Sequence, residues 1–430
     1  MRRETPMWRC ILFWRDERSG VISSKNLVFR NNLRFLPWQR AGLISESMRF
    51  FSLLFLMAHV AFGAEPPLLQ SKVKGLLVVD LGNGSYAGTA TQMNATAIPA
   101  QDRGSNFQLR FNQRVGKMMT SATAEVEKLM RVRHRDKIPK GYVIEFGFSD
   151  KHTPKDGPSA AVACGLMADA IISGNPLDQQ FAATGDMTAT GEVRPVGGVG
   201  AKIRGAMRKN CTVFSVPAGN RSVVEDLYVS HGIEAVAKIQ IITVSQFEEA
   251  VAISRATKSK EVAQAFADFE MVQKAVLKNS GNAGHPKVRE KLKSILKTIP
   301  HHESARLIAL HGMKRGPKRL SLVGSLQEID GAAKELGAVF KNGSFSSPGF
   351  DDPLWESIAR LDRLKLAVDV RTKPFLMSFL KVGTFVKQNR ERKVLRESEI
   401  TEFATLVNNI DVERNKLMSN KKIREEMLDE

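Results

Sequence analysis

The stretch TPKDGPSAAVACGLMADAII, Thr153–Ile172, constrains the fold more than any other. Its first half is turn chemistry, with two prolines, a glycine and an aspartate within six residues. Its second half is small and apolar and reads as the start of a buried helix, which needs other elements packed around it. The flanking sequence offers them. From about Val73, KGLLVVDLG and YAGTATQMNATAIPA are short apolar or alternating runs broken by glycine and asparagine, the pattern of strands. FNQRVGKMMTSATAEVEKLMRV has apolar residues at helical spacing, and Tyr142–Phe148 alternates like a strand. A helix over about Ser159–Ser173 follows. Then come strand-like QQFAATGDMTA, the turn PVGGVG, a helix over Ala201–Arg208 and the strand CTVFSVP. Helices alternating with strands argue for an α/β or α+β domain.

After about Ala256 the strand pattern stops. Helix formers dominate over Glu261–Lys278, Val288–Ile299, Glu303–His311, Ser325–Leu336, Leu354–Val370 and Glu399–Leu417. The expectation is an α+β domain over 70–255 followed by an all-α domain over 256–430. The helix–proline–helix junction around Pro300, with Ala305 near the second start, looks tetratricopeptide-like, although no second copy at a period of about 34 residues is visible.

The formal net charge is +19 over 430 residues, and the excess is concentrated outside the middle of the chain. Nucleic-acid or membrane-surface binding is one reading of such a balance. No run of five like charges occurs, so a solvated basic helical surface is the expectation, with no nucleic-acid partner. The three cysteines, Cys10, Cys164 and Cys211, form no CxxC, and the eight histidines are scattered. No metal site and no cofactor are expected.

Near the beginning, MRFFSLLFLMAHVAFGAEPP has Arg49, an uncharged and mainly apolar run Phe50–Phe62, and small residues at Ala61, Gly63 and Ala64. That is the anatomy of a secretory signal peptide, and the run is short of the roughly 20 residues that span a bilayer. The expectation is a start at Met48, cleavage after Gly63 or Ala64, and an exported, periplasmic or secreted, chain without a stable transmembrane anchor. Residues 1–63 would then be an extension plus signal. If that reading fails, the chain is cytoplasmic.

Ser159 stands where turn chemistry meets the buried helix. A serine there is ordinarily an N-cap, and Asp156 could cap equally well. A nucleophilic role needs a base, since a serine hydroxyl is a poor nucleophile at neutral pH. His152 is close in sequence, which says nothing about geometry. A second stretch, ATGDMTATGEVRPVGGVGAKIRGA (Ala183–Ala206), changes the balance. PKDGPSA together with TGxxxxxGEVxPVGGxxxK resembles the proteolytic domain of the Lon protease family, over roughly residues 70–255. NQRVGKMMTSA also sits where that family has its first helix.

The resemblance implies a mixed sheet with packed helices and a serine endopeptidase with a Ser–Lys dyad. The matching positions are Ser159 and Lys202, 43 residues apart. It gives Thr184 an orienting hydrogen bond to the lysine and puts Asp156 beside the site, in a structural or a gating role. The chemistry requires a buried amine. Lysine has a reference pKa near 10.4, which burial lowers by up to roughly 3–5 units. Small and apolar residues flank Lys202, which suits desolvation. The oxyanion would form near the helix start after Gly157 and Pro158, where backbone N–H groups are free. Gly197 and Gly198 would let the chain bend before the lysine helix.

Three departures stand out. Ala161 follows PSA where the family usually has Gly, Asp186 gives TGD for TGE, and GGVGAK lacks the family's other lysine in that stretch. No GxxxxGK[ST] phosphate loop occurs in the sequence. The expectation is an ATP-independent peptidase acting on unfolded or extended proteins, with a homo-oligomeric ring implied by the family. The alternatives are a catalytically silent scaffold of the same fold and a peptidase serving a separate ATPase.

Overall fold

The computed structural model describes residues 66–80, 86–101, 106–150, 155–334, 336, 351–389 and 395–424. The expected signal segment, Cys10 and His152 lie outside the described residues.

Seven strands form one mixed sheet in the order β3-β4-β2-β1-β5-β8-β9. They are β1 (Gln70–Asp80), β2 (Tyr86–Pro99), β3 (Gln108–Phe111), β4 (Tyr142–Phe148), β5 (Phe181–Ala183), β8 (Val213–Pro217) and β9 (Gln240–Val244). β1 pairs antiparallel with β2, and β2 with β4. The pairs β1·β5, β5·β8, β8·β9 and β3·β4 are parallel. The remaining strands, β6 (Asp186–Met187) and β7 (Val193–Arg194), form a small hairpin. The expected strand QQFAATGDMTA is therefore two strands, broken at Gly185, whose φ of 154° lies where a side chain is strained.

Three helices lie where the patterns place them, α1 (Lys117–Arg133), α2 (Ala161–Ser173) and α3 (Val199–Arg208), and two more, α4 (Arg221–Ala237) and α5 (Phe247–Ser254), lie in a stretch to which the sequence patterns assign no element. Every residue of α2 from Ala161 to Ile172 is buried, as a helix apolar on every face requires, and the burial includes its one charged residue, Asp169. It ends at Gly174, in the left-handed conformation that favours glycine at this position.

The expected division near residue 256 does not separate two cores. The helices α6 (Lys260–Lys278), α7 (Pro286–Thr298) and α8 (Glu303–Gly312) bury Phe269, Val272, Leu292, Ile295 and Leu307 in the same hydrophobic cluster as the sheet. The start of α8 is stitched to the β9 edge. Ser304 Oγ donates to the Ile239 carbonyl (2.8 Å) and accepts from the Ile241 amide (2.9 Å), and the Thr243 amide donates to the His301 carbonyl (3.0 Å). The helix–proline–helix junction thus covers a strand edge that would otherwise present unpaired backbone groups.

A second cluster begins only at Leu320. It is built from α9 (Leu322–Ala332), α10 (Asp351–Leu364), α11 (Lys373–Asn389) and α12 (Glu397–Ser419). Asp226 of α4 ties it down by accepting from the amide and the hydroxyl of Ser321, both at 2.7 Å. The architecture is an α+β domain followed by an all-helical region, and no helix among the described residues is long and apolar enough to cross a membrane.

Candidate active site

Three segments converge at the C-terminal end of β5. The chain leaves β5 at Thr184, whose amide continues the ladder to the Ser215 carbonyl of β8 (3.2 Å). The next amide, Gly185, donates to the Ser159 carbonyl at 3.0 Å, and the Val162 amide donates back to the Gly185 carbonyl at 3.2 Å. These backbone bonds hold the entrance to α2 against the exit from β5.

Ser159 lies in a single 3-10 turn, Pro158–Ala160, ahead of α2. The helix starts two residues later than its pattern suggests, and Ser159 does not cap it. Neither the turn nor α2 has a side-chain cap bond. Pro158 fits the first position of the turn, where its missing N–H costs nothing. Gly157, with φ 110° and ψ 147°, has a conformation open only to glycine at low cost. An added Cβ there would meet nothing within 4 Å, so the requirement is conformational and not one of space. Among the described residues no acceptor takes the Ser159 amide, as expected for the first turn of a helix.

Lys202 comes in on α3. Gly198, with φ 72°, supplies the left-handed bend before the helix, and an added Cβ there would lie 2.8 Å from Val78 Cγ2. Gly197 has neither a positive φ nor close neighbours, so the expected bend rests on Gly198 alone. Lys202 is only 3% exposed. Its Nζ donates to Thr184 Oγ1 at 3.1 Å, and the Thr184 hydroxyl in turn donates to the Ser159 carbonyl at 3.3 Å. No carboxylate among the described residues lies within ion-pair distance of the amine. Burial alone lowers its pKa from the ordinary 10.5 to about 8, which makes the neutral amine accessible near neutral pH.

Asp156 does something the sequence did not reveal. Its Oδ1 accepts from the Met119 amide at 3.1 Å and from the Gly157 amide at 2.7 Å. It caps the N-terminus of α1 from 37 residues away and fixes the turn that carries Ser159. The N-cap position of α1 is Gly116, where an added Cβ would fall 2.0 Å from the Asp156 carboxyl carbon. The departures are also placed. Ala161 is buried at the start of α2, and Asp186 pairs with Arg194 across the β6–β7 hairpin. Burial raises the Asp186 pKa, against the lowering effect of the Met187 amide and Arg194.

Residues 79–255 match the Lon protease (S16) C-terminal proteolytic domain. The chain is 31% identical over 161 residues to Lon protease 1 of Syntrophotalea carbinolica, a match covering 35% of this chain and 19% of the relative. It is 28% identical over 167 residues to the mitochondrial Lon protease homolog of Phaeodactylum tricornutum, covering 37% and 19%. It is also 28% identical over 146 residues to Lon protease of Heliobacterium modesticaldum, covering 33% and 18%. The chain thus spans about a fifth of the length of these curated relatives.

The Lon-type domain holds a second polar cluster, away from Ser159. Asp169, the one charge in α2, is 1% exposed. Its carboxylate meets Arg133 Nε and His134 Nε2, at 2.6 and 2.8 Å, and the Arg255 guanidinium. Burial and the neighbouring cations lower the His134 pKa from 6.5 to about 4, so the ring is neutral at pH 7. Cys164 and Cys211 are both buried free thiols whose pKa values burial raises. Among the described residues no group of His, Cys, Asp and Glu is arranged to hold a metal ion.

Proposed function

We propose that the Lon-type domain is a serine endopeptidase in which Ser159 is the nucleophile and Lys202 the general base. The observation that carries this reading is the buried amine, held by a hydroxyl whose own proton is committed to the Ser159 backbone. Neutral Lys202 Nζ takes the proton from Ser159 Oγ, which attacks the carbonyl carbon of an extended peptide. The oxyanion forms beside the helix entrance, where the Ser159 amide can donate to it. Lys202 then passes its proton to the leaving amine. Water releases the acyl group, with Lys202 again as base. Thr184 aims the amine, and Asp156, Gly157 and Pro158 shape the turn.

The substrates in this reading are unfolded or extended proteins, cleaved without ATP, and the assembly is a ring of like chains. The apolar run Phe50–Phe62 supports export. N-terminal analysis of protein from the native host tests that point, and a chain still starting at Met1 would overturn it. For the dyad, Ser159→Ala and Lys202→Arg should abolish cleavage of a casein-type or fluorogenic substrate, with native circular dichroism. Arginine keeps the charge but gives up no proton near neutral pH. Cleavage by a folded, contaminant-free Ser159→Ala protein would sink the mechanism. Strong stimulation by Mg-ATP would sink ATP independence.

A further inference from the structure

We propose that Gly88 and Gly205 are positioning residues that set how deeply the Lys202 amine is buried, by letting α3 rest backbone to backbone on β2. An added Cβ at Gly88 would lie 1.8 Å from the Ala201 carbonyl oxygen and 2.8 Å from the Lys202 amide nitrogen. From the other side, an added Cβ at Gly205 would lie 2.7 Å from the Gly88 carbonyl carbon and 2.8 Å from the Thr89 amide nitrogen. Close carbon–oxygen contacts run at about 3.3–3.6 Å, so an alanine at Gly88 must lift α3 by roughly 1.5 Å. The contact falls on the backbone of Lys202 itself, so the lift acts on the lysine without passing through flexible side chains.

Two further bonds hold the helix down on this bed. The Arg208 guanidinium donates to the Gly88 carbonyl, and Lys74 Nζ of β1 donates to the Lys209 carbonyl at 2.7 Å, at the end of α3. Among the described residues, no carboxylate forms an ion pair with the amine that would compensate for a shift. Arg204 and Arg208 on α3 and Lys72 and Lys74 on β1 are cations, Asp80 is the last residue of β1, and β2, β5 and β8 carry no acidic residue. On α4, Arg221 and Glu225 are engaged with Glu303 and Arg306, and Asp226 with Ser321. Burial is therefore the control on this amine, and the glycine pair is what sets the burial.

The kinetic arm of the test rests on the reading of Lys202 as base, and the titration arm does not. Competitive labelling of the folded full chain with acetic anhydride across pH, read at Lys202 by mass spectrometry, gives the amine's titration midpoint directly. In Gly205→Ala and Gly88→Ala, water reaches the amine, and the midpoint should rise by roughly one unit from about 8 toward the ordinary 10.5. The pH limb of kcat/KM that reports neutral Lys202 should rise with it. Gly200→Ala, on the same helix, places its Cβ at an ordinary 3.5 Å from Val223 and should leave both unmoved. Only the folded fraction from size exclusion is labelled. If Gly88→Ala yields none, Gly205→Ala, which needs the smaller shift, decides. An unchanged Lys202 midpoint in folded Gly205→Ala overturns the proposal. A raised midpoint in a chain that cleaves nothing leaves the positioning intact and removes the peptidase reading alone.

Discussion

Lys202 and Asp169 are both charged residues buried in the Lon-type domain, and the fold treats them in opposite ways. Asp169, 1% exposed, is met from two segments, by Arg133 and the adjacent His134 at the end of α1 and by Arg255 just after α5. Lys202, 3% exposed, has one neutral hydroxyl. A buried charge with opposite charges around it holds elements together, because removing one member leaves the others desolvated and unpaired. A buried amine without a counter-charge destabilises its own charged form, and what it gains is a neutral base near pH 7. The contrast separates an ion-paired cluster from a desolvated amine without a counter-charge, and it does so without reference to sequence motifs.

The largest test of that contrast is at Asp169. Asp169→Asn keeps the shape and removes the charge, leaving Arg133 and Arg255 with much less compensation. Urea unfolding should show a loss of about 3–5 kcal/mol. A loss below roughly 1 kcal/mol would mean that Glu248, the other partner of Arg133, and the Asn175 carbonyl, an acceptor of Arg255, carry the cations by themselves.

The converse test is at Lys202. Lys202→Met keeps the length and removes the amine, so it should abolish cleavage yet stabilise the fold. The sign follows from linkage. Between about 8 and 10.5 the unfolded chain holds a proton on Lys202 that the folded chain does not, so wild-type stability rises with pH across that window. Below it the full penalty of burying the charge applies, on the order of 3 kcal/mol. The methionine variant should therefore lead by about that much at pH 7, with the lead shrinking to near zero by pH 10.5. A destabilised Lys202→Met protein at pH 7 would show that the amine is held by interactions beyond Thr184.

The sequence made the candidate site far more legible than the packing around it. Ser159 and Lys202 lie in two long, ordered stretches, and Thr184 lies within the second. Asp169 was also open to detection, as a lone charge in an apolar helix. The capping of α1 by Asp156 was not, because it spans 37 residues and depends on how two loops meet. Nor was Gly88, one glycine in a strand of small residues, whose meaning comes only from the helix laid on it. That the hydrophobic core continues past the end of the strand pattern near 256 was hidden for a related reason. Amphipathic helices such as α6 and α7 read alike whether they pack on a sheet edge or on one another. Strands as short as β5 to β7, with three residues or fewer, have too few positions to show alternation.

The smallest expected effect is at Thr184, and its direction sharpens the comparison. Thr184→Val removes the oxygen that, among the described residues, accepts from Lys202 Nζ, and with it the hydroxyl that donates to the Ser159 carbonyl. The carbonyl keeps the Gly185 amide, so the backbone there stays satisfied. Stability at pH 7 should fall by only about 1 kcal/mol, the net worth of an ordinary hydrogen bond. The hydroxyl oxygen favours the ammonium over the neutral amine, because the ammonium is the stronger donor. Its loss should move the Lys202 midpoint further down, by less than about one unit, where the glycine substitutions move it up. Cleavage should fall about tenfold at the optimum, since the amine is no longer aimed although more of it is neutral. Labelling of Lys202 across pH separates the two effects. A midpoint that rises in Thr184→Val would mean that water replaces the hydroxyl, and that Thr184 acts by excluding solvent and not by orienting the amine.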